Sequence, residues 1–274
     1  MSTAETSAGR IGWHELLTPD VEAAKSFYGR LLAWETEIFK PGEADYLMIS
    51  AAGTQHGGFL REQPAPDAPP HWQPYVYVES AEGAANRATA AGGTVLHGPL
   101  EIPDVGTILI VADPQGAAIA AIQGAGEAPV AEGVFVWDEL HTTDVEAVKG
   151  FYESVFGWSS QEMEMAGAGT YTIFQRGEKQ VAGAMAKQAG DPSPPHWLTY
   201  IGVEDVDATT ADARELGATV FVEPTDIPGV GRFSLIADPT GAAVGLFRAA
   251  NQGPRLARRS RARTFRAIVV ASAD

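Results

Sequence analysis

The chain has 274 residues, room for two ordinary domains of about 100 to 150 residues each. It contains no cysteine, which excludes disulfides, thiolate metal sites and a cysteine nucleophile. Its net charge of -16 argues against nucleic acid, whose binding depends on Lys and Arg meeting phosphates. The first ten residues, MSTAETSAGR, lack the apolar stretch of a secretory signal, and no run approaches the roughly 20 apolar residues of a membrane-spanning helix. The expectation is a cytoplasmic protein with neither a membrane nor a nucleic acid as partner.

Along the chain, an apolar strand carrying Trp13-His14-Glu15-Leu16 leads to Asp20, a short side chain suited to cap a helix. Val21, Ala24, Phe27, Tyr28 and Leu31 then recur at helical spacing and make one apolar face. Three strand-like runs follow at 33–39, 46–51 and 56–60, so the unit reads βαβββ. A Pro-rich linker at 63–70 (QPAPDAPP) precedes a second unit, with a strand at 75–78, a helix start at Ser80 and an Asp-Pro-x-Gly turn at Asp113. The segment 124–133 joins what comes next.

What comes next is the same pattern again. Trp137-Asp138-Glu139-Leu140, Asp144-Val145-Glu146-Ala147 and Phe151-Tyr152 repeat the first half at an offset of 124. Pro195-His196-Trp197, Ile227-Pro228 and Ala237-Asp238-Pro239 repeat it at an offset of 125. The inner echo, Ser80 for Asp20 and Asp205 for Asp144, divides each half again, with 190–195 (GDPSPP) as the second linker. From Arg255 onward the chain carries six Arg and one Asp, a net of +5, leaving -21 on residues 1–254. This basic tail reads as a disordered extension, with folding back onto the acidic body as its rival.

Two signatures, each present twice, make the chain resemble the vicinal-oxygen-chelate superfamily of glyoxalases, bleomycin-resistance proteins and extradiol dioxygenases. They are DVEAAKSFYGRLLAW (20–34) with DVEAVKGFYESVFGW (144–158), and the Asp-Pro-x-Gly turns at Asp113 and Asp238. The chain is similar to tandem hydroxylase/glyoxalase-like proteins of that superfamily. The resemblance implies an α+β fold with four βαβββ modules paired into two glyoxalase-like domains, 11–123 and 133–248, each with a curled mixed sheet around a cleft, followed by the tail 249–274. It also implies small-molecule ligands, and a monomer or a homodimer.

Metal-holding members take ligands from the first and last strands of paired modules. The corresponding positions here are Trp13, Gln73, Trp137 and Leu198, with Ala120 and Gly245 on the last strands. Only Gln73 could touch a cation, and one donor does not make a site. The expectation is no metal and no other cofactor, and therefore neither glyoxalase I nor extradiol dioxygenase chemistry.

Strand alternation then selects what lines the clefts. In the first half these are Trp13, Glu15 and Leu17 with Gln73, Tyr75 and Tyr77; in the second they are Trp137, Glu139 and His141 with Leu198 and Tyr200. Trp13, Glu15, Gln73, Tyr75, Tyr77, Trp137 and Tyr200 are the ligand-binding candidates, and Glu139 with His141 the acid/base candidates. His71 and His196 read as fixing the linkers. The leading reading is a metal-independent binding protein that sequesters a planar or cationic compound. Its rivals are a lyase, isomerase or hydroxylase-like enzyme using Glu139 and His141, and a structural duplicate whose clefts have filled in.

Overall fold

The computed structural model describes residues 7–40, 46–51, 53–61, 68–124, 134–165, 169–188 and 190–250. The junction 125–133, most of the first Pro-rich linker and the basic tail from 251 lie outside the described residues. The first half consists of β1 (Ile11–Leu17), α1 (Val21–Leu32), β2 (Glu35–Phe39), β3 (Tyr46–Ala51) and β4 (Thr54–Leu60), then β5 (His71–Tyr77), α2 (Ala81–Ala90), β6 (Thr94–Ile102), β7 (Gly106–Ala112) and β8 (Ala118–Gly124). The second half consists of β9 (Phe135–Thr142), α3 (Val145–Phe156), β10 (Ser159–Met165), β11 (Gly169–Arg176) and β12 (Lys179–Ala186), then β13 (His196–Gly202), α4 (Val206–Glu215), β14 (Thr219–Ile227), β15 (Gly231–Ala237) and β16 (Ala243–Ala249). The α+β reading with four βαβββ modules therefore holds.

The caps account for the helix starts. Asp20, Ser80, Asp144 and Asp205 each accept a backbone N–H three residues on, at 3.0 to 3.1 Å. One boundary differs from the sequence reading: the strand expected from residue 33 starts at Glu35. Ala33 ends α1 in the left-handed region at φ +53, where the second half has Gly157 at φ +68.

Each half forms one open eight-stranded sheet, in the orders β2-β3-β4-β1-β5-β8-β7-β6 and β10-β11-β12-β9-β13-β16-β15-β14. The first and fifth strands of each half lie antiparallel at the centre, and each is flanked by a parallel neighbour, giving mixed sheets. This layout brings the two module-opening strands side by side, so their same-parity residues share one face.

The opposite face carries the helices, and there the halves pack on each other. One core combines α2 and its strands with α3 residues Val148, Phe151, Tyr152 and Val155; the other combines α1 residues Val21, Ala24, Phe27 and Tyr28 with α4 residues Val206 and Ala213. The Phe-Tyr and Leu/Phe-x-Trp signatures are the aromatic centres of these cores. Tyr28 stacks on Trp34 and meets Trp72 edge-on, and Tyr152 does the same with Trp158 and Trp197.

The hydroxyls at these centres tie the halves together. Tyr28 donates to Asp238 Oδ2 at 3.0 Å and Tyr152 donates to Asp113 Oδ2 at 2.9 Å, while Trp72 and Trp197 donate to those hydroxyls in turn. The other oxygen of each Asp holds its own turn, accepting the backbone N–H of residues 115 and 117 or of 240 and 242. The two signatures of the superfamily are thus one hydrogen-bonded unit, made across the halves.

Candidate functional site

The candidate clefts lie on the faces away from these cores. A register shift in β1 between Ile11 and Trp13 turns Ile11 to the core while Trp13 keeps the face of Glu15, and the pairing of β9 with β13 shifts between Trp137 and Phe135 in the same way. In the first half Trp13 Nε1 donates to Tyr46 Oη at 3.0 Å. Tyr46 donates to Glu15 Oε1 at 2.9 Å, and Tyr75 donates to Glu15 Oε2 at 2.5 Å. The second half repeats this chain: Trp137 Nε1 to Tyr171 Oη at 2.7 Å, Tyr171 to Glu139 Oε2 at 2.6 Å, and Tyr200 to Glu139 Oε1 at 3.2 Å. Both carboxylates are buried, at 6% and 8% exposure.

Glycine makes room for each network. Gly58 stands in register with Glu15, and Gly183 with Glu139. A Cβ on Gly58 or Gly183 would sit 1.9 Å from the hydroxyl of Tyr46 or Tyr171, and the one on Gly183 also 2.9 Å from Trp137 Nε1. Any side chain there would break the network.

The halves diverge at one position. His141 Nε2 donates to Glu139 Oε1 at 2.7 Å, whereas Leu17 stands in the same place beside Glu15 and is fully buried. Burial raises the Glu15 carboxyl above the ordinary range, and the hydrogen bonds from Tyr75, Tyr46 and Trp13 offset this only in part. Burial opposes ionisation of Glu139 too, but the hydrogen bond and charge of His141, with the Tyr171 and Tyr200 hydroxyls, outweigh it and lower the carboxyl. Burial, and then the adjacent carboxylate, push the hydroxyls of Tyr46, Tyr75, Tyr171 and Tyr200 up, so they remain donors.

The structure therefore gathers Trp13, Glu15 and Tyr75 in one half, and Trp137, Glu139, His141 and Tyr200 in the other. Tyr77 stays outside the hydrogen-bonded chain and joins Tyr75, Ile110, Ala120 and Ile122 in an apolar cluster that Trp13 packs against. Gln73 is buried, its amide directed at the carbonyls of Pro74 and Ala118 at 3.3 and 3.4 Å. His71 and His196 donate Nδ1–H to the linker carbonyls of Pro69 and Pro194 at 2.8 and 2.9 Å. Tyr46 and Tyr171 escaped the sequence reading, since they lie on third strands rather than module-opening ones. Their equivalence at the repeat offset of 125, shared by Gly58 and Gly183, was the available signal.

The opposite face of the same strands holds a second pair that sequence reasoning missed. His14 and Asp138 occupy equivalent places in the repeat, and His14 Nε2 lies 3.0 Å from both Asp138 oxygens, with both residues buried. Thr199 donates to Asp138 at 2.7 Å, and the His14 ring stacks on Phe135. This contact joins the halves directly behind the two candidate sites.

The residues at the superfamily's metal positions do not fit a divalent cation. Trp13, Trp137 and Leu198 supply no suitable donor, and Ala120 is packed against Tyr75 and Tyr77. At Gly245 a Cβ would meet the Tyr200 ring at 2.1 Å, so the ring occupies the space of a last-strand ligand. Among the described residues no three His, Cys, Asp or Glu side chains are placed to hold a metal ion.

Comparison with known proteins agrees with the architecture. The profile of the Glyoxalase/Bleomycin resistance protein/Dioxygenase superfamily matches residues 10–121 and again 135–246. The Mycobacterium tuberculosis protein CFP32, provisionally named a glyoxylase, is 34% identical over 258 residues, covering 91% of this chain and 98% of its own. The anthracycline biosynthesis protein DnrV of Streptomyces peucetius is 31% identical over 252 residues, covering 85% and 91%. Among solved structures, the 2,3-dioxygenase LapB from Pseudomonas sp. KL28 superposes with a TM-score of 0.63 at 14% identity, over 92% of this chain and 96% of its own. The Mn(II)-bound glyoxalase from Novosphingobium aromaticivorans gives 0.58 at 18% identity, over 89% and 83%. At those identities the structures bear on fold alone. With both halves matched, the chain belongs to the Glyoxalase/Bleomycin resistance protein/Dioxygenase superfamily.

Proposed function

We propose that this protein binds a planar organic small molecule in the aromatic clefts of its two halves without the superfamily's metal, and so holds or sequesters it. The observation that carries this reading is the duplicated Trp–Tyr–Glu–Tyr network. It puts a tryptophan ring at a first-strand position where metal-dependent relatives would need a ligand, with a buried carboxylate two residues on. The carboxylate favours a ligand that also offers a hydrogen-bond donor or a positive charge. An anthracycline, the compound class in the name of DnrV, has this planar character.

Calorimetric titration of chelator-treated full-length protein with an anthracycline tests the proposal. The expected result is saturable binding that survives chelation, with Trp13→Phe and Trp137→Phe each weakening one class of site. Binding that appears only on adding a divalent cation, or no saturable heat at all, overturns it.

A second reading has a specific observation in its favour. The 2.7 Å contact between Glu139 and His141 supports acid/base chemistry of the isomerase, lyase or hydroxylase-like kind, confined to the second half. Clefts packed solid by Trp13, Tyr75 and their counterparts would favour a structural duplicate, and an absence of ligand in the titration above would point there.

A further inference from the structure

The second half carries an arrangement that simple binding does not require. Glu139 and His141 are two residues apart on β9, so strand geometry holds them on one face whether or not a ligand is present. A carboxylate can only accept, so His141 must donate from Nε2, and its neutral ring then carries the lone pair on Nδ1. His196, the register partner of His141 on β13, stacks on it with centroids 5.1 Å apart and planes 19° apart. Its own Nδ1–H is engaged by Pro194, which fixes that ring in place. The His141 side chain retains 17% exposure while Glu139 beneath it is nearly closed off.

The first half shows what binding alone retains. His71 holds its linker as His196 does, but its register partner is Leu17. The tryptophan, both tyrosines and the glutamate are all present there without an imidazole. His141 is the addition.

We propose that the second half is a general-base catalyst that removes a proton from a planar carbon acid, with His141 Nδ1 as the base and Glu139 as the residue that positions it. The proposal rests on the binding reading above, because the second cleft must first hold the flat substrate. The substrate class is a planar ring system with a C–H acidified by an adjacent carbonyl or heteroatom. The C–H electron pair moves into the substrate and the proton moves to Nδ1. Return of that proton to another atom gives isomerisation, and departure of a leaving group gives elimination. Neither outcome needs a redox partner or a metal.

The test uses 5-nitrobenzisoxazole, a flat carbon acid that any well-placed base opens. The base takes the ring C–H proton, the freed pair completes a nitrile, and the N–O bond breaks to open the ring to a single coloured product that carries both the nitrile and a phenolate. The titratable groups around the Glu139–His141 pair are His196 and Tyr200 on β13 and Tyr171 on β11, with Lys187 and Asp191 acting on His196, so the pH profile is read against these. All rates are measured on full-length protein in the Glu15→Gln background, which removes the carboxylate of the other half.

The expected result is a turnover that rises with pH through one ionisation and falls at least about 100-fold in His141→Leu, the residue of the first half. Glu139→Gln is expected to lower the rate about tenfold and to move the inflection to lower pH, as loss of a paired carboxylate requires. Glu139→Asp restores part of both. Circular dichroism and calorimetric binding of the same compound report on folding and occupancy. Binding without a rate above that of free imidazole overturns the catalytic proposal alone, whereas no binding overturns it together with the binding reading. A His141→Leu variant that keeps its rate while Glu139→Gln loses it names the carboxylate as the base and also overturns the proposal.

Discussion

The two halves present the same tryptophan, the same two tyrosines and the same glutamate, yet their carboxyl groups titrate in opposite directions. In the first half, burial dominates and Glu15 is raised; in the second, His141 reverses the balance and Glu139 is lowered. A duplicated scaffold can therefore hold one constellation in two electrostatic states by exchanging a single neighbour, Leu17 for His141. The tyrosines do not make the difference, because they serve both carboxylates as donors.

The comparison depends on the halves staying clamped, and breaking the clamp has the largest expected effect. Asp138→Ala leaves His14 and Thr199 buried without their acceptor, and urea denaturation should show a loss of about 3 to 5 kcal/mol. Tyr28→Phe and Tyr152→Phe each remove a buried donor to the Asp of the other half, and each should cost about 1 to 3 kcal/mol. Similar losses from the two variants would support equal clamping on both sides. A loss confined to one would show that only that core holds the halves together.

The carboxylates themselves separate by the sign of their pH dependence. Glu15 is raised on folding, so its contribution to stability is present below the unfolded carboxyl pKa of about 4.3 and is lost as pH rises through the folded value. Glu15→Gln should therefore gain on the parent protein as pH rises, and denaturation curves at acid and neutral pH should show it. Glu139 is lowered, so its contribution is present above about 4.3 and is lost as pH falls through the folded value. Glu139→Gln should be about 1 to 3 kcal/mol less stable at neutral pH, with the deficit shrinking in acid. Installing the missing neighbour sharpens the point: Leu17→His, opposite His71, should move the Glu15 carboxyl downward in an NMR titration.

The smallest effect concerns the backbone. Ala33 ends α1 at φ +53 where its counterpart is Gly157, so Ala33→Gly should stabilise the protein by about 0.5 to 1 kcal/mol, visible as a small rise in Tm.

Much of the candidate site was open to sequence reading, because strand alternation places Trp13 with Glu15, and Trp137 with Glu139 and His141, on one face. The missed tyrosines show the limit. Tyr46 lies 33 residues from Trp13 and Tyr171 lies 34 from Trp137, and only the pairing of β3 and β11 with their neighbours brings them to the carboxylates. The most recognisable motifs proved to be core and clamp. Phe-Tyr, Pro-His-Trp and Asp-Pro-x-Gly meet across the halves, with Tyr28 and Asp238 separated by 210 residues.

The sequence by itself determined the fourfold βαβββ repeat, the helix caps, the Asp-Pro-x-Gly turns and the parity of each strand, since all of these depend on chemistry within a few residues. Only the tertiary structure decided which groups close on each carboxylate, that His14 meets Asp138, and that α1 packs with α4 and α2 with α3. Those contacts depend on how two sheets stack, and the balance between burial and hydrogen bonding that sets each glutamate's charge exists only once they have stacked.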